Sequence, residues 1–117
     1  MDEFIKSYIT AALWSSTDQV DEQGGEPLDA NYSPDDLAPE TLARIQADCE
    51  SFYRDHIEDI VSNVSRAGHD FWLTRNRHGS GFWDGDWEKE TGRRLTEASH
   101  KFGELELYVG DDGLLYF

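Results

Sequence analysis

Residues 39–65, PETLARIQADCESFYRDHIEDIVSNVS, decide the fold. Large, mostly apolar side chains recur in this stretch at steps of three and four, which is the period of one helix face. These positions are Leu42, Ile45, Cys49, Phe52, Tyr53, His56, Ile57, Ile60, Val61 and Val64. Pro39 suits the first turn of a helix, and Gly68 suits a left-handed stop just beyond it. The pattern therefore predicts one long helix over 39–65.

The residues before the long helix predict a second helix and a loop. Apolar residues at helical spacing follow the acids Asp2 and Glu3, which favour the positive end of a helix dipole, so we expect a helix over 2–15. The polar stretch 16–33 has no periodicity and predicts a mobile acidic loop. The sequence 33–36, SPDD, predicts a short helical turn.

The residues after Gly68 change period and favour strands. The β-prone stretch 71–74, turn residues over 76–81 and a second apolar pair at 82–83 predict a hairpin over 69–84. Asp86 is a suitable cap for a helix over 87–102. Alternating residues at 104–109 and the turn GDDG at 110–113 predict a second hairpin over 104–117.

These elements predict an α+β fold in a single domain over 1–117. Neither hairpin is stable alone, so the economical arrangement joins them into one antiparallel sheet. We expect the N-terminal helices to pack on a four-stranded sheet made of two hairpins that are joined by a helix. A chain of 117 residues has no room for two independent cores.

The net charge of −15 restricts the classes of partner. The chain is 38% hydrophobic and 13% aromatic, which is too apolar for a wholly disordered acidic tail. Direct binding to nucleic acid or to an anionic bilayer is disfavoured because like charges repel. A basic protein is the favoured partner.

The cysteine content and the apolar runs indicate the compartment. The single cysteine, Cys49, excludes an intramolecular disulfide and a Cys-x-x-Cys site, and its place on the apolar stripe predicts a buried structural thiol. No run reaches the ~18 apolar residues that a membrane-spanning helix needs. The N-terminus lacks the positive charge of a signal peptide. We expect a cytoplasmic protein that does not enter the membrane.

The acidic residues concentrate in the N-terminal half. Residues 1–60 contain 15 acids and 3 bases, whereas residues 61–117 contain 10 acids and 7 bases. On the predicted long helix Asp48, Asp55 and Asp59 form one stripe, and Glu50 and Glu58 lie close to another. Neighbouring carboxylates on such a stripe lie about 6 to 11 Å apart, near the spacing of DNA phosphates. Two readings stay open, a face that mimics DNA and a solvated helix face.

Residues 68–84 hold the second group of candidates, which are His69, Asp70, Arg75, Arg77 and His78. Arginines beside glycines can form a cradle for an anion, whereas the simpler reading is a hairpin loop that needs glycine. His69, Asp70, His78 and Asp84 match no metal-binding signature, and we expect no metal and no cofactor. Ser80 lacks the complete Gly-x-Ser-x-Gly frame of a serine hydrolase.

Several stretches resemble a family of small acidic proteins of bacteriophages and bacterial mobile elements. These stretches are ALWSS at 12–16, YSPDD at 32–36, GHDFWLTRNRHGSGFWD at 68–84, with Leu95 and Ala98 after it, and YVGDDGLLY at 108–116. The resemblance covers nearly the whole chain and implies an origin in a phage or a mobile element inside a bacterial cell. The family has no assigned activity, so the resemblance identifies no catalytic residue.

Three functional hypotheses follow. In the first, the protein is not an enzyme and inhibits a basic host nucleic-acid-binding enzyme or defence complex by charge-based DNA mimicry. In the second, it is a small ligand-binding or phosphate-binding domain, or an enzyme, that uses the hairpin at 69–81. In the third, its tryptophans form an aromatic patch that makes a homodimer.

Overall fold

The computed structural model describes residues 2–17, 25–78, 80–83 and 87–117. Within these ranges lie the helices α1 (Asp2–Ser15), α2 (Pro39–Ile60), α3 (Val64–Arg75) and α4 (Lys89–His100). Short 3₁₀ turns occupy Leu28–Ala30, Pro34–Asp36 and Val61–Asn63. The strands β1 (Tyr108–Val109) and β2 (Leu115–Tyr116) pair antiparallel. None of the helices in the described ranges is long and apolar enough to cross a membrane.

The predicted α+β fold with a four-stranded sheet is wrong. The described part of the chain is mainly helical, and its sheet has two strands of two residues each. The difference arises at 69–84, where the predicted first hairpin is absent because Val64–Arg75 forms α3. Without that hairpin, the described residues contain no sheet large enough to cover the helices, which instead pack on one another.

Burial explains why the sequence of α3 favours a strand although these residues form a helix. Every residue from Asp70 to Arg75 is buried, so this part of the helix shows no alternation between an apolar and a polar face. A short apolar run in a fully buried element has no helical period that distinguishes it from a buried strand. The apolar side chains of Phe71, Trp72 and Leu73 therefore suggested a strand although they belong to a core helix.

Gly68 lies inside α3 rather than at the end of a helix, which corrects its predicted role as a stop. A Cβ atom at Gly68 would lie 2.1 Å from the carbonyl oxygen of Phe4 and 2.2 Å from Oγ of Ser7, both in α1. The missing side chain thus lets α1 and α3 approach closely, and these two helices share the most extensive helix contact in the fold.

The predicted long helix over 39–65 is interrupted. α2 ends at Ile60, the 3₁₀ turn follows, and Asn63 precedes α3 with a non-helical φ of −152° and ψ of 65°. A local distortion already occurs at His56, where φ is −127° and ψ is 18°. The apolar period continues across this break because Ile60 and Val64 both pack toward the core, so periodicity alone does not reveal the change of direction.

The remaining predictions differ in detail from the structure. α1 has the bounds expected from the sequence, and the expected turn is present over Pro34–Asp36, where Ser33 and Asp36 form a capping box. α4 begins at Lys89 with Glu88 as its cap, two residues later than predicted, and the proposed cap Asp86 lies outside the described residues. Of the loop predicted over 16–33, residues 18–24 also lie outside them, and the described remainder contains the 3₁₀ turn Leu28–Ala30, in which Leu28 is buried.

The C-terminal hairpin closes the core beside α2. The expected turn is present, since Gly110 N donates to the carbonyl of Leu114 at 2.7 Å and Gly113 has a φ of 80°. The carbonyl oxygen of Leu115 accepts hydrogen bonds from Ala38 N at 3.1 Å and Thr41 Oγ1 at 2.8 Å. These bonds fasten the last strand to the first turn of α2.

Aromatic side chains from α1, α2 and α3 fill the centre. The rings of Phe52 in α2 and Phe71 in α3 stack with centroids 4.1 Å apart. Phe4 and Tyr8 of α1 pack against Phe71 at 6.0 and 5.3 Å. Such pairs add to the stability that the burial of apolar area provides. This cluster fixes the positions of α1 and α3, between which the groove described below is formed.

Candidate functional site

The predicted acidic stripe on α2 does not present its three aspartates in the same way. Asp48 is the most enclosed, with a side chain 14% exposed, and its Oδ2 lies 2.8 Å from Nη1 of Arg75 and 3.0 Å from Nε of Arg44. Oδ1 of Asp59 lies 2.9 Å from Nη2 of Arg94 in α4. Asp48 and Asp59 therefore neutralise the protein's own arginines.

The other predicted acids of α2 remain exposed to solvent. The carboxylate of Asp55 lies 3.7 Å from Arg54 Nε at an exposed site, where such a pair contributes little. Glu50 and Glu58 are exposed, and they form no ion pair with any residue that the structure describes. We call Glu50, Asp55 and Glu58 the acidic face. The apolar residues Ile57 and Val61, which are 40% and 60% exposed, lie in and just after the same part of α2.

The second predicted group is separated by the fold. Arg75 is buried in the core, whereas Arg77 and His78 are exposed beyond the end of α3. Arg77 has a positive φ of 58°, which accompanies the turn there, and His78 lines a groove beside Trp72 and Glu104. The predicted hairpin cradle is therefore wrong, because its arginines do not converge. Gly79 lies outside the described residues.

Arg75 is held by groups from four parts of the chain. Besides its ion pair with Asp48, it donates to Tyr8 Oη at 3.1 Å and to the carbonyls of Phe102 and Gly103 at 3.0 and 2.9 Å. Its guanidinium carbon lies 5.7 Å from the Phe71 ring centroid. These partners occupy N–H donors of the Arg75 guanidinium, and the Arg75 side chain is 0% exposed. Arg75 therefore connects elements of the core and is not accessible to a ligand.

His69 and Asp70 do come together. Nδ1 of His69 lies 2.9 Å from Oδ1 of Asp70, whose side chain is 0% exposed. Oδ2 of Asp70 accepts from Trp87 Nε1 at 2.7 Å and from Arg66 Nε at 3.2 Å. Three donors thus satisfy a fully buried carboxylate, which fits the rule that buried charges are paired.

This arrangement fixes the orientation of the His69 ring. A carboxylate paired with an arginine is an acceptor, so Nδ1 of His69 carries the proton that faces Asp70. In the neutral ring Nε2 is then the acceptor. The Trp14 ring packs against the imidazole with centroids 5.7 Å apart, and the His69 side chain keeps 27% of its surface exposed.

His69 lines a groove of about 540 Å³ between α1 and α3. The other lining residues are Glu3, Lys6, Ser7, Thr10, Ser65 and Arg66. Of these, sequence reasoning had considered none as a site residue. The spacing of Arg66 and Asp70 at i, i+4 was a detectable signal, whereas nothing in the sequence placed Lys6 and Thr10 near His69.

Neither a metal cluster nor a reactive thiol is present among the described residues. No group of three or more histidine, cysteine, aspartate or glutamate side chains in the described ranges is placed to hold a metal ion. Burial, reinforced by the charge of Asp48, raises the pKa of the Cys49 thiol above its usual range. Cys49 is therefore a protonated core residue at neutral pH, as its place on the apolar stripe predicted, and not a nucleophile.

No family model, curated protein or solved structure matches the chain. The resemblance to small acidic phage proteins therefore stays a prediction from the sequence, and functional conclusions depend on the geometry of the chain itself.

Proposed function

We propose that this protein acts by binding a basic protein partner and occupies the site at which that partner binds nucleic acid. The partner class is a host nucleic-acid-binding enzyme or defence complex in the bacterial cytoplasm, in keeping with an origin in a phage or a mobile element. The protein acts as a competitor and not as an enzyme.

The observation that supports this proposal is the exposed acidic face of α2. Asp48 and Asp59 have internal arginine partners, whereas Glu50 and Glu58 have none among the described residues, and Asp55 has one weak exposed pair. Carboxylates that stabilise nothing within the fold contribute to its negative potential, which accelerates association with a positively charged surface.

The exposed apolar residues beside these acids favour a protein partner. Ile57 and Val61 expose apolar surface close to Glu58 along the chain. Charge steers an encounter, but buried apolar contacts supply much of the affinity of a protein interface. A basic partner with an apolar residue at the centre of its positive surface fits both features.

The geometry does not support the alternative function, which is a ligand-binding or phosphate-binding hairpin at 69–81. Arg75 is enclosed in the core, and Arg77 and His78 lie apart from His69 and Asp70. What remains of that group is the His69–Asp70 pair.

The test measures competition with DNA. A heparin column first selects nucleic-acid-binding proteins from a bacterial lysate. These proteins are then bound to the immobilised acidic protein, and short duplex DNA is added as a competitor. We expect duplex DNA to release the specific partner, and the triple variant Glu50→Gln, Asp55→Asn and Glu58→Gln to bind that purified partner about tenfold more weakly at low salt.

A charge-matched control distinguishes a site from net charge. Glu104→Gln, Glu106→Gln and Asp111→Asn remove the same number of exposed charges from the C-terminal region, and this variant should retain most of the affinity. Equal losses in the two triple variants would contradict a specific acidic face. A complex that duplex DNA leaves intact would contradict competition for the nucleic-acid site.

A further inference from the structure

The groove between α1 and α3 is formed by elements other than the acidic face and has a different chemistry. Two of the protein's ten lysine and arginine residues, Lys6 and Arg66, line it together with His69. Its volume of about 540 Å³ lies in the range of sites that hold small molecules. Arg66 is paired with Asp70, and Glu3 also lies in the lining, so Lys6 is the cation of the groove that a ligand can use.

Lys6 supplies the positive charge at one side of the groove. Glu3 lies three residues before it on the same helix, yet Lys6 makes no ion pair with any carboxylate among the described residues. An exposed ammonium group without an internal anion is suited to bind an anionic group of a ligand, since it offers three donors.

The groove also offers acceptors, two on α1 beside Lys6 and one on α3. Ser7 Oγ donates its proton to the carbonyl of Phe4 at 3.1 Å, and Thr10 Oγ1 donates to the carbonyl of Lys6 at 2.9 Å. Each hydroxyl has used its single donor, so its oxygen can only accept from a ligand. In the neutral imidazole, Nε2 of His69 is likewise an acceptor, because Nδ1 faces Asp70.

We infer that this groove binds a small molecule that carries a phosphate group on a hydroxylated ring, as a sugar phosphate or a nucleotide does. Lys6 binds the phosphate. The ring hydroxyls donate to His69 Nε2 and to the oxygens of Ser7 and Thr10. Asp70 is a positioning residue, since it touches no ligand and holds the His69 ring in the tautomer that accepts.

The experiment titrates ribose 5-phosphate into ¹⁵N-labelled protein and follows amide and histidine ring resonances. We expect saturable shifts confined to residues of α1 and the first half of α3, with inorganic phosphate and ribose each binding at least about tenfold more weakly. AMP is titrated in parallel, and tighter binding by AMP would identify a nucleotide as the preferred source of the same group.

Variants assign the individual roles. Lys6→Ala and His69→Ala should each lower the affinity for ribose 5-phosphate about tenfold, the scale of one hydrogen bond. Lys101→Ala removes another exposed lysine, and His78→Ala removes an exposed histidine, both outside the groove; both variants should bind as the parent does. Asp70→Asn should change the His69 ring ¹⁵N shifts toward the other tautomer, which a merely structural role would not do.

Two results would overturn the inference. One is the absence of saturable shifts at ligand concentrations up to about 10 mM. The other is equal binding by the parent, Lys6→Ala and Lys101→Ala, since that would mean unspecific attraction of phosphate. Lys6 is exposed on α1, so the Lys6 variant decides the matter even if His69→Ala or Asp70→Asn does not fold.

Discussion

Nη1 of Arg75 lies 2.8 Å from Oδ2 of Asp48, and this contact joins α3 to α2 inside the core. The arginine is 0% exposed and the aspartate 14%. An acid that looked like one member of a surface stripe is thus required to neutralise a buried cation. Asp48 therefore stabilises the fold and does not belong to the candidate partner surface.

This pair predicts a large loss of stability when its carboxylate is removed. Asp48→Asn should lower the free energy of unfolding by about 3–5 kcal/mol, because it leaves the buried guanidinium of Arg75 without its counter-charge. Urea denaturation of the parent and the variant measures the change. Arg44→Met is the matched control, since Arg44 contacts the same carboxylate from an exposed position and should change stability by less than about 1 kcal/mol. Similar losses in both variants would contradict the central role of Arg75.

Gly68→Ala should destabilise the protein, against the usual preference of helices for alanine. Within a helix, alanine is ordinarily favoured over glycine by about 1 kcal/mol. Here the new methyl group would collide with the carbonyl of Phe4 at 2.1 Å, so we expect a net loss of about 1–3 kcal/mol as α1 and α3 separate. Thermal unfolding gives the sign directly, and an increase in melting temperature would disprove the close helix contact.

Neutralising the acidic face should leave stability unchanged or slightly increased. Glu50, Asp55 and Glu58 hold no buried group, and removing three negative charges lowers self-repulsion in a protein of net charge −15. The triple variant with Gln, Asn and Gln should lie within about 0.5 kcal/mol of the parent or above it. Denaturation at low and at high salt provides the comparison. A loss of several kcal/mol would assign these acids a structural role instead.

His56 should make stability fall as the solution becomes acidic. Desolvation by its surroundings lowers the pKa of His56 below its usual 6.5, although the nearby charges of Asp55 and Asp59 oppose that shift. The unfolded chain therefore takes up the proton first. The stabilisation from neutral His56 is present above pH 6.5 and is lost as the pH falls from there through the lowered folded pKa.

The comparison with His56→Gln isolates this contribution. We expect the variant to lose less stability than the parent between about pH 7 and pH 5, because the other three histidines are present in both proteins and only the contribution of His56 differs. Chemical denaturation at a series of pH values measures the difference. Parallel curves would show that the environment of His56 does not disfavour its charged form.

Cys49 should resist thiol reagents until the protein unfolds. Its side chain is buried and its thiol pKa is raised, so both access and thiolate formation are suppressed. A colorimetric disulfide reagent at pH 8 should react at least about a thousandfold more slowly with the folded protein than with the protein in guanidinium, given ordinary domain stability. Rapid stoichiometric labelling of the folded protein would contradict the packing around α2.

Sequence reasoning succeeded where a local pattern has a single structural meaning. The bounds of α1 follow from its apolar spacing, and the short turn over Pro34–Asp36 and the turn at 110–113 follow from short-range chemistry. The burial of Cys49 followed from its place on the apolar stripe of α2. Each of these features depends on residues within one helical turn or one hairpin of each other.

It failed where burial removed the pattern or where partners are distant in sequence. α3 is enclosed by other elements, so its apolar run had no period, and Gly68 serves a contact with α1 that no local signal shows. For the candidate sites, the adjacent pair His69–Asp70 was recognisable as a pair. Its supporting Trp87 and the Lys6 side of the groove were not.

The sequence alone determined the strong negative charge, the helical N-terminal half and the exposure of Glu50 and Glu58, because composition and local periodicity fix these properties. Only the tertiary structure decided that Asp48 neutralises Arg75 and that Asp70 positions His69 beside Lys6. The physical reason is that a buried charge must find a partner wherever the packing of helices brings one within about 3 Å, and sequence distance does not limit that choice.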